Sequence, residues 1–265
     1  MNRPVHGKIT SPKMLLIEPS IFKQFPAISC CLSTRSGGVS PEPFGLNLSF
    51  NVKDLAMNVE ENRRRFFRKA GIPEGRIALA GQCHSARVAP VREPGLVENT
   101  DGLVTDVEGL WLAVSVADCV PLFLADPRKN VIAVVHAGWR GSLERITENA
   151  VDVLSRKFGS VPKDVFAYIG PSAGACCYEV GKDVAERFDR IVVGERDGKI
   201  YLDLKRENRR QLLAAGIPAS NIETSPDCTI HQSEVFHSFR RDGKQSGRMM
   251  GVIGIIEGSM RGFDD

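Results

Sequence analysis

The chain has 265 residues, long for one domain and short for two, with 42% hydrophobic and 25% charged residues, close to the balance of folded globular proteins. That composition excludes disordered, collagen-like and low-complexity classes, and 35 Lys and Arg against 32 Asp and Glu give a net charge of only +3. A nucleic-acid or membrane partner finds no electrostatic footprint in such a balance.

In chain order, the first apolar run (28–33) reads as a strand. A helix is expected over 58–70, with Asn58 and Glu61 at capping-box spacing and Gly71 then Pro73 as stop signals. Strand-like runs follow at 77–80, 87–91, 110–116, 120–125 and 131–135. A second helix is expected over 142–158, where Leu143, Ile146, Ala150, Val153 and Leu154 form a stripe at helical spacing. A strand at 165–169, a short helix at 181–187, a helix at 203–215 closed by Gly216 and Pro218, and a strand at 250–256 complete the series. Strands and helices do not alternate regularly, so the expected fold class is α+β, in a single domain over 1–265 whose first 20 residues form a loosely ordered extension.

No run of 18 apolar residues occurs, and the N-terminal segment lacks the apolar core of a signal peptide, which points to a cytoplasmic chain. The seven cysteines are Cys30, Cys31, Cys83, Cys119, Cys176, Cys177 and Cys228. They contain no CxxC, so a closed zinc ribbon and a thioredoxin-type site find no support. Two adjacent pairs make a poor disulfide framework, in keeping with a reducing compartment.

One hairpin carries chemistry. The runs 120–125 and 131–135 flank a turn-rich Asp126-Pro127-Arg128-Lys129. If Ala125 pairs with Asn130, Cys119 stands directly opposite His136. Opposed residues share a face with Cβ atoms about 4.5–5.5 Å apart, close enough to share one metal ion or to form a nucleophile–base pair. His84, at a strand–loop junction in AGQCHSARV, is a candidate third ligand or a plain surface residue. Asp118 points to the opposite face and can orient a ligand only if the chain bends there; it is also a candidate proton carrier. TRSGGVS sets Arg35 beside Gly37 and Gly38, either a backbone nest for an anion or an ordinary turn. Arg140 and the pair Arg240-Arg241 add cations able to grip phosphate. GPSAG matches G-x-S-x-G, but the chain that follows it, ACCYEV, is a poor helix start, which argues against a nucleophile elbow.

Taken together, TRSGGVS, FGLNLSFNV, ENRRRF, GQCHSARV, DGLVT, ADCVPLFLAD, VVHAGWRG, IGPSAGACCYEVG, CTI and FRRDGKQSGRMMG resemble, in order and over nearly the whole chain, the YfiH/FAMIN family, formerly described as multicopper polyphenol oxidoreductases of the laccase-domain type. The resemblance implies an α/β/β/α sandwich. It implies a His-Cys-His metal site at His84, Cys119 and His136, holding Zn2+ or, alternatively, Cu2+. It further implies phosphorolysis of adenosine, inosine, guanosine and methylthioadenosine, with adenosine deaminase as a side activity. Purine nucleosides and inorganic phosphate are then the partners of a monomer or homodimer, with Asn47 joining Arg35, Gly37, Gly38 and Arg140 as substrate-binding candidates. The sequence departs from the family's usual pattern at Cys83, Ser85, His237 and Phe239, the last standing where a tyrosine is usual. Cys83 and His237 are not counted as ligands. A cysteine hydrolase or deamidase built on Cys119–His136 and a copper polyphenol oxidase remain the rival readings.

Overall fold

The computed structural model describes residues 13–258, which form fifteen strands and six α-helices. The strands are β1 (Leu16–Ile17), β2 (Ile28–Ser33), β3 (Ile77–Gly81), β4 (Val88–Pro90), β5 (Gly95–Glu98), β6 (Gly102–Thr105), β7 (Trp111–Val116), β8 (Val120–Asp126), β9 (Val131–Ala137), β10 (Phe166–Ile169), β11 (Glu179–Val180), β12 (Val193–Arg196), β13 (Lys199–Leu202), β14 (Ile222–Thr224) and β15 (Met249–Ile255). The helices are α1 (Ala56–Ala70), α2 (Trp139–Leu143), α3 (Ile146–Phe158), α4 (Lys182–Ala185), α5 (Leu204–Ala214) and α6 (Phe239–Asp242).

The strands build two six-stranded sheets, ordered β1-β2-β15-β7-β3-β5 and β14-β10-β8-β9-β6-β4, and a small sheet β11-β13-β12. Because successive strand residues face opposite ways, each large sheet buries two faces. From the first sheet, Leu112, Val114 and Ile253 meet Phe123, Ile132 and Val134 of the second in one shared core. On the first sheet's outer face, Trp111, Ala113, Met250 and Val252 pack with Phe66 of α1. On the second sheet's outer face, Leu122, Leu124, Ala133 and Val135 pack with Ile146, Ala150 and Leu154 of α3 and Leu212 of α5. The result is the expected α/β/β/α sandwich.

Several boundaries differ from the sequence reading. Helix α1 begins at Ala56 after an N-cap at Leu55, so Asn58 lies inside the first turn and no capping box forms. The helix expected over 142–158 is two helices, broken where Arg145 takes a left-handed conformation with φ 63°. Of the N-terminal extension, residues 1–12 lie outside the described residues, whereas β1 pairs with β2 and Glu223 accepts hydrogen bonds from Ser20 and Ile21, so the described part is held in place. In the central hairpin the expected register is corrected. Asn130 is left-handed with φ 54° and the Asp126 carboxylate accepts the Arg128 and Lys129 N–H groups, so the loop takes in Asn130. The first pair is Asp126 with Val131, and His136 pairs with Pro121 rather than Cys119.

Candidate metal centre

The register shift is even, so it leaves Cys119 on the same side of the sheet as His136. Both point toward the inter-sheet core, at the end of the β8–β9 hairpin, as diagonal rather than direct neighbours. Two backbone features complete the approach. Asp118 takes φ 87° and bends the chain just before Cys119, and His84, in the loop after β3, takes φ 63°. Asp and His are among the residues that tolerate this left-handed region, and such outliers gather at functional sites. Donor atoms of His84, Cys119 and His136 then lie within 4.8 Å of one another, and the two imidazoles meet edge to face with centroids 5.0 Å apart. Gly138 makes room: a Cβ there would sit 3.1 Å from the Cys119 Sγ and 3.2 Å from the His84 ring.

Asp101, to which the sequence reading assigned no role, orders this cluster. Strand β6 pairs with β9 through Gly102 and Val135, which places Asp101 beside His136. The His136 N–H donates to the Asp101 carbonyl at 2.7 Å, and the His136 Nδ1 meets Asp101 Oδ1 at 2.8 Å. The same carboxylate accepts the backbone N–H groups of Cys83, His84 and Ser85, fixing the loop that carries His84. Carboxylates behind ligating histidines set the tautomer and ring orientation in this way. Burial alone would push the Cys119 thiol up, but the facing His136 and His84 hold it down at about 6. Burial opposes a charged His136, yet the Cys119 sulfur and the Asp101 carboxylate raise it to about 9. The pair therefore favours a thiolate beside an imidazolium, a state a cation can replace.

Two imidazoles and one thiolate suit Zn2+, which takes N and S ligands at about 2.0–2.3 Å and, when catalytic, three protein ligands and one open position. With Nδ1 held by Asp101, His136 presents Nε2 to such an ion. The cluster opens into a cleft of about 310 Å³ lined by Ser49, Gln82, Ser115, Phe239 and Arg248 among others, and Ser49, Gln82 and Ser115 also line an adjoining cleft of about 660 Å³.

The other expected site residues are elsewhere. Asp118 is buried with its carboxylate accepting hydrogen bonds from Thr229 Oγ1, Ser238 Oγ and the Arg240 N–H, so its bend ties down the C-terminal segment. At 34–40, where an anion nest is expected, the Arg35 and Val39 donors are used internally. The Arg35 N–H donates to Val235 O and the Val39 N–H to Asn62 Oδ1, while the Arg35 guanidinium reaches Glu42 and the Ser233 and Pro43 carbonyls. Gly37 has φ 91°, and a Cβ on Gly38 would drive into the Gly45 carbonyl, so the paired glycines permit close packing. Asn47 is buried, donating to Ser49 O and Asp54 and accepting from the Ser49 and Arg248 N–H groups. Arg140 is exposed over the Trp139 ring, 4.3 Å from its centroid. Arg240 and Arg241 donate to the carbonyls of Glu179, Thr229, Ile230 and Phe236. The cation that does line the cleft is Arg248.

Residues 29–256 match the family described as multi-copper polyphenol oxidoreductase laccase. The chain is similar to a purine nucleoside phosphorylase of Deinococcus radiodurans, 39% identical over 86% of this chain and 90% of that one. It is similar to adenosine deaminase RL5 from an unknown prokaryotic organism, 36% identical over 77% of this chain and 84% of that one. The solved structure of YlmD from Geobacillus stearothermophilus superposes with a TM-score of 0.85 at 35% identity, covering 89% of this chain and 94% of that one.

Proposed function

The chain belongs to the multi-copper polyphenol oxidoreductase laccase family, and we propose that it is a zinc-dependent purine nucleoside phosphorylase with adenosine deaminase as a side activity. The observation that carries this reading is the convergence of His84, Cys119 and His136, backed by Asp101, at the mouth of a cleft with one lining arginine. Relatives named purine nucleoside phosphorylase and adenosine deaminase over most of the chain supply the substrate class.

In phosphorolysis a phosphate oxygen bonds to the anomeric carbon as the glycosidic bond breaks, and its electron pair leaves with the purine. Zn2+ bound by the three ligands supplies Lewis acidity and lowers the pKa of water toward about 7, the chemistry that deamination needs. Arg248 offers the phosphate a fixed positive charge. Its Nη1 donates to the Ser246 and Gly247 carbonyls, so the guanidinium is positioned before substrate arrives. Phe239 lies beside it, with the Arg248 guanidinium 5.2 Å from the ring centroid, and gives a base an apolar face without the hydroxyl of a tyrosine. Asp101 fixes the His136 tautomer throughout.

Adenosine incubated with and without phosphate and resolved by chromatography tests the proposal. Adenine and ribose 1-phosphate are expected only with phosphate, and Cys119→Ala is expected to lower the rate by at least about 10³-fold, about 4 kcal/mol of transition-state stabilisation. Equal activity in the variant would sink it. A second reading, a hydrolase with Cys119 as nucleophile and His136 as base, is favoured by the low thiol pKa and the facing imidazole. Metal-free wild-type protein whose Cys119 alkylates rapidly and which releases no purine base would select that reading. The donor set of two His and one Cys also suits a single copper ion, the third reading, which a copper-dependent oxidation of phenols would support.

A further inference from the structure

A second group of metal-binding side chains converges away from the centre described above: the thiols of Cys176, Cys177 and Cys228 lie within 4.8 Å of one another. They come from two segments that the fold stitches together. The stretch after β10 turns at 174–178, where Gly174 O accepts from the Cys177 and Tyr178 N–H groups. The stretch after β14 runs alongside through a parallel bridge between Ser172 and Cys228, and the Thr229 N–H donates to Ser172 O.

The sulfurs are set up as metal ligands in three respects. First, Cys228 is buried and its Sγ accepts the Gly174 N–H at 3.3 Å. Amides pointing at a sulfur stabilise the thiolate, which is the form that binds metals. Second, the segments that bear the thiols are anchored: the Lys205 ammonium donates to the Ser225 and Asp227 carbonyls, and Arg196 donates to Cys176 O. Third, burial is graded from Cys228 through half-buried Cys177 to exposed Cys176, which leaves an entry path from solvent.

We propose that Cys176, Cys177 and Cys228 form a second metal site that binds a soft, thiophilic d10 cation, Zn2+ or Cu+, independently of His84, Cys119 and His136. An all-sulfur donor set selects such ions over hard oxygen-seeking cations. At a metal–sulfur distance of about 2.3 Å the three sulfurs stand about 3.8–4.0 Å apart, so binding contracts the cluster by about an ångström at most. Three converging thiols also exceed what one disulfide consumes. A cation here pins the 170–178 turn to the 225–232 segment. From there Thr229 donates to Asp118, whose bend carries Cys119, so the second site braces the first from behind.

The test uses full-length protein, reduced and stripped of metal, titrated separately with Zn2+ and with Cu+ against a chelator of known affinity. The Cys119→Ala chain, which lacks the first centre, is expected to keep one bound equivalent of one or both ions. Adding Cys176→Ser is expected to weaken that equivalent by more than about 100-fold, beyond the loss seen when only a supporting partner of a ligand is removed. Co2+ bound to the Cys119→Ala chain is expected to show a sulfur-to-metal charge-transfer band that Cys176→Ser abolishes. Cys176 is exposed, so its replacement opens no core, and matching melting curves of the metal-free variants verify this. The proposal is overturned if Cys119→Ala binds neither ion, or if Cys176→Ser leaves the remaining equivalent unchanged. A disulfide within the trio under reducing conditions, found by mass analysis, overturns it as well.

Discussion

The hairpin end at His136 and the turn at 34–47 both place a polar side chain beside glycines, yet they fold to different ends. At His136 the polar groups are fixed from behind. Asp101 holds the ring and the loop carrying His84, and the donor atoms it orients face a cleft. In the 34–47 turn the polar groups are turned inward on one another: Arg35 on Glu42 and carbonyls, Asn62 on the Val39 N–H, Asn47 on Ser49 and Asp54. Glycine serves both regions, admitting the Cys119 sulfur and the His84 ring at Gly138 and backbone at Gly38. What separates a site from a scaffold here is whether the partners of a polar group leave one of its faces toward a cavity.

Gly38→Ala breaks or confirms the scaffold side of that comparison. The obstacle to a Cβ is backbone, the Gly45 carbonyl and the Leu46 Cα, which cannot swing away as a side chain would. The expected loss is about 3 kcal/mol, the upper end for overpacking. At roughly 2–4 °C per kcal/mol in a chain of this size, Tm falls by about 6–12 °C. Nucleoside turnover per folded molecule is expected to stay at the wild-type value. An unchanged Tm with lost turnover would move the turn from scaffold to site.

Asp101→Asn probes the site side with a smaller effect. The amide keeps the shape but loses the charge that favours the His136 imidazole facing the ligands. Competition against a chelator is expected to show Zn2+ affinity lowered by about 10–100-fold. If affinity holds while the melting curve shifts, Asp101 is only a clamp for the 83–85 loop.

Much of this was legible beforehand, because it rests on period. The near-continuous apolar runs in 110–116, 120–125 and 131–135, which suit strands buried on both faces, and the stripe in 142–158 carry the sandwich. The pairing of Cys119 with His136 was misjudged by two positions, since nothing in the sequence said that Asn130 would turn left-handed. The face survived because a shift of two preserves it. Asp101 was hidden: DGLVT carries only the family resemblance and no strand is expected there, and its partner His136 lies 35 residues on, brought close only by the β6–β9 ladder. Arg248 was hidden for the same reason, its neighbours Asn47 and Phe239 being brought together only by the fold at the start of β15. Arg35 was over-read because a cation beside paired glycines looks alike whether its partner is a ligand or its own loop.

The finest discrimination lies between two arginines. Arg248 lines the cleft with its guanidinium held by the Ser246 and Gly247 carbonyls and its backbone N–H by Asn47 Oδ1. Arg140 lies exposed over Trp139, a surface cation–π contact worth about 0.5–1 kcal/mol to the fold. A hydrogen bond from a charged donor to phosphate contributes about 1.5–3 kcal/mol. Steady-state kinetics at varied phosphate are therefore expected to show KM for phosphate raised about 10–100-fold in Arg248→Ala, with KM for the nucleoside changed less. Arg140→Ala is expected to leave both within about twofold, since an exposed charge is screened by solvent. An Arg140→Ala enzyme whose phosphate KM rises as far as that of Arg248→Ala would shift the anion grip out of the cleft and onto the surface of α2.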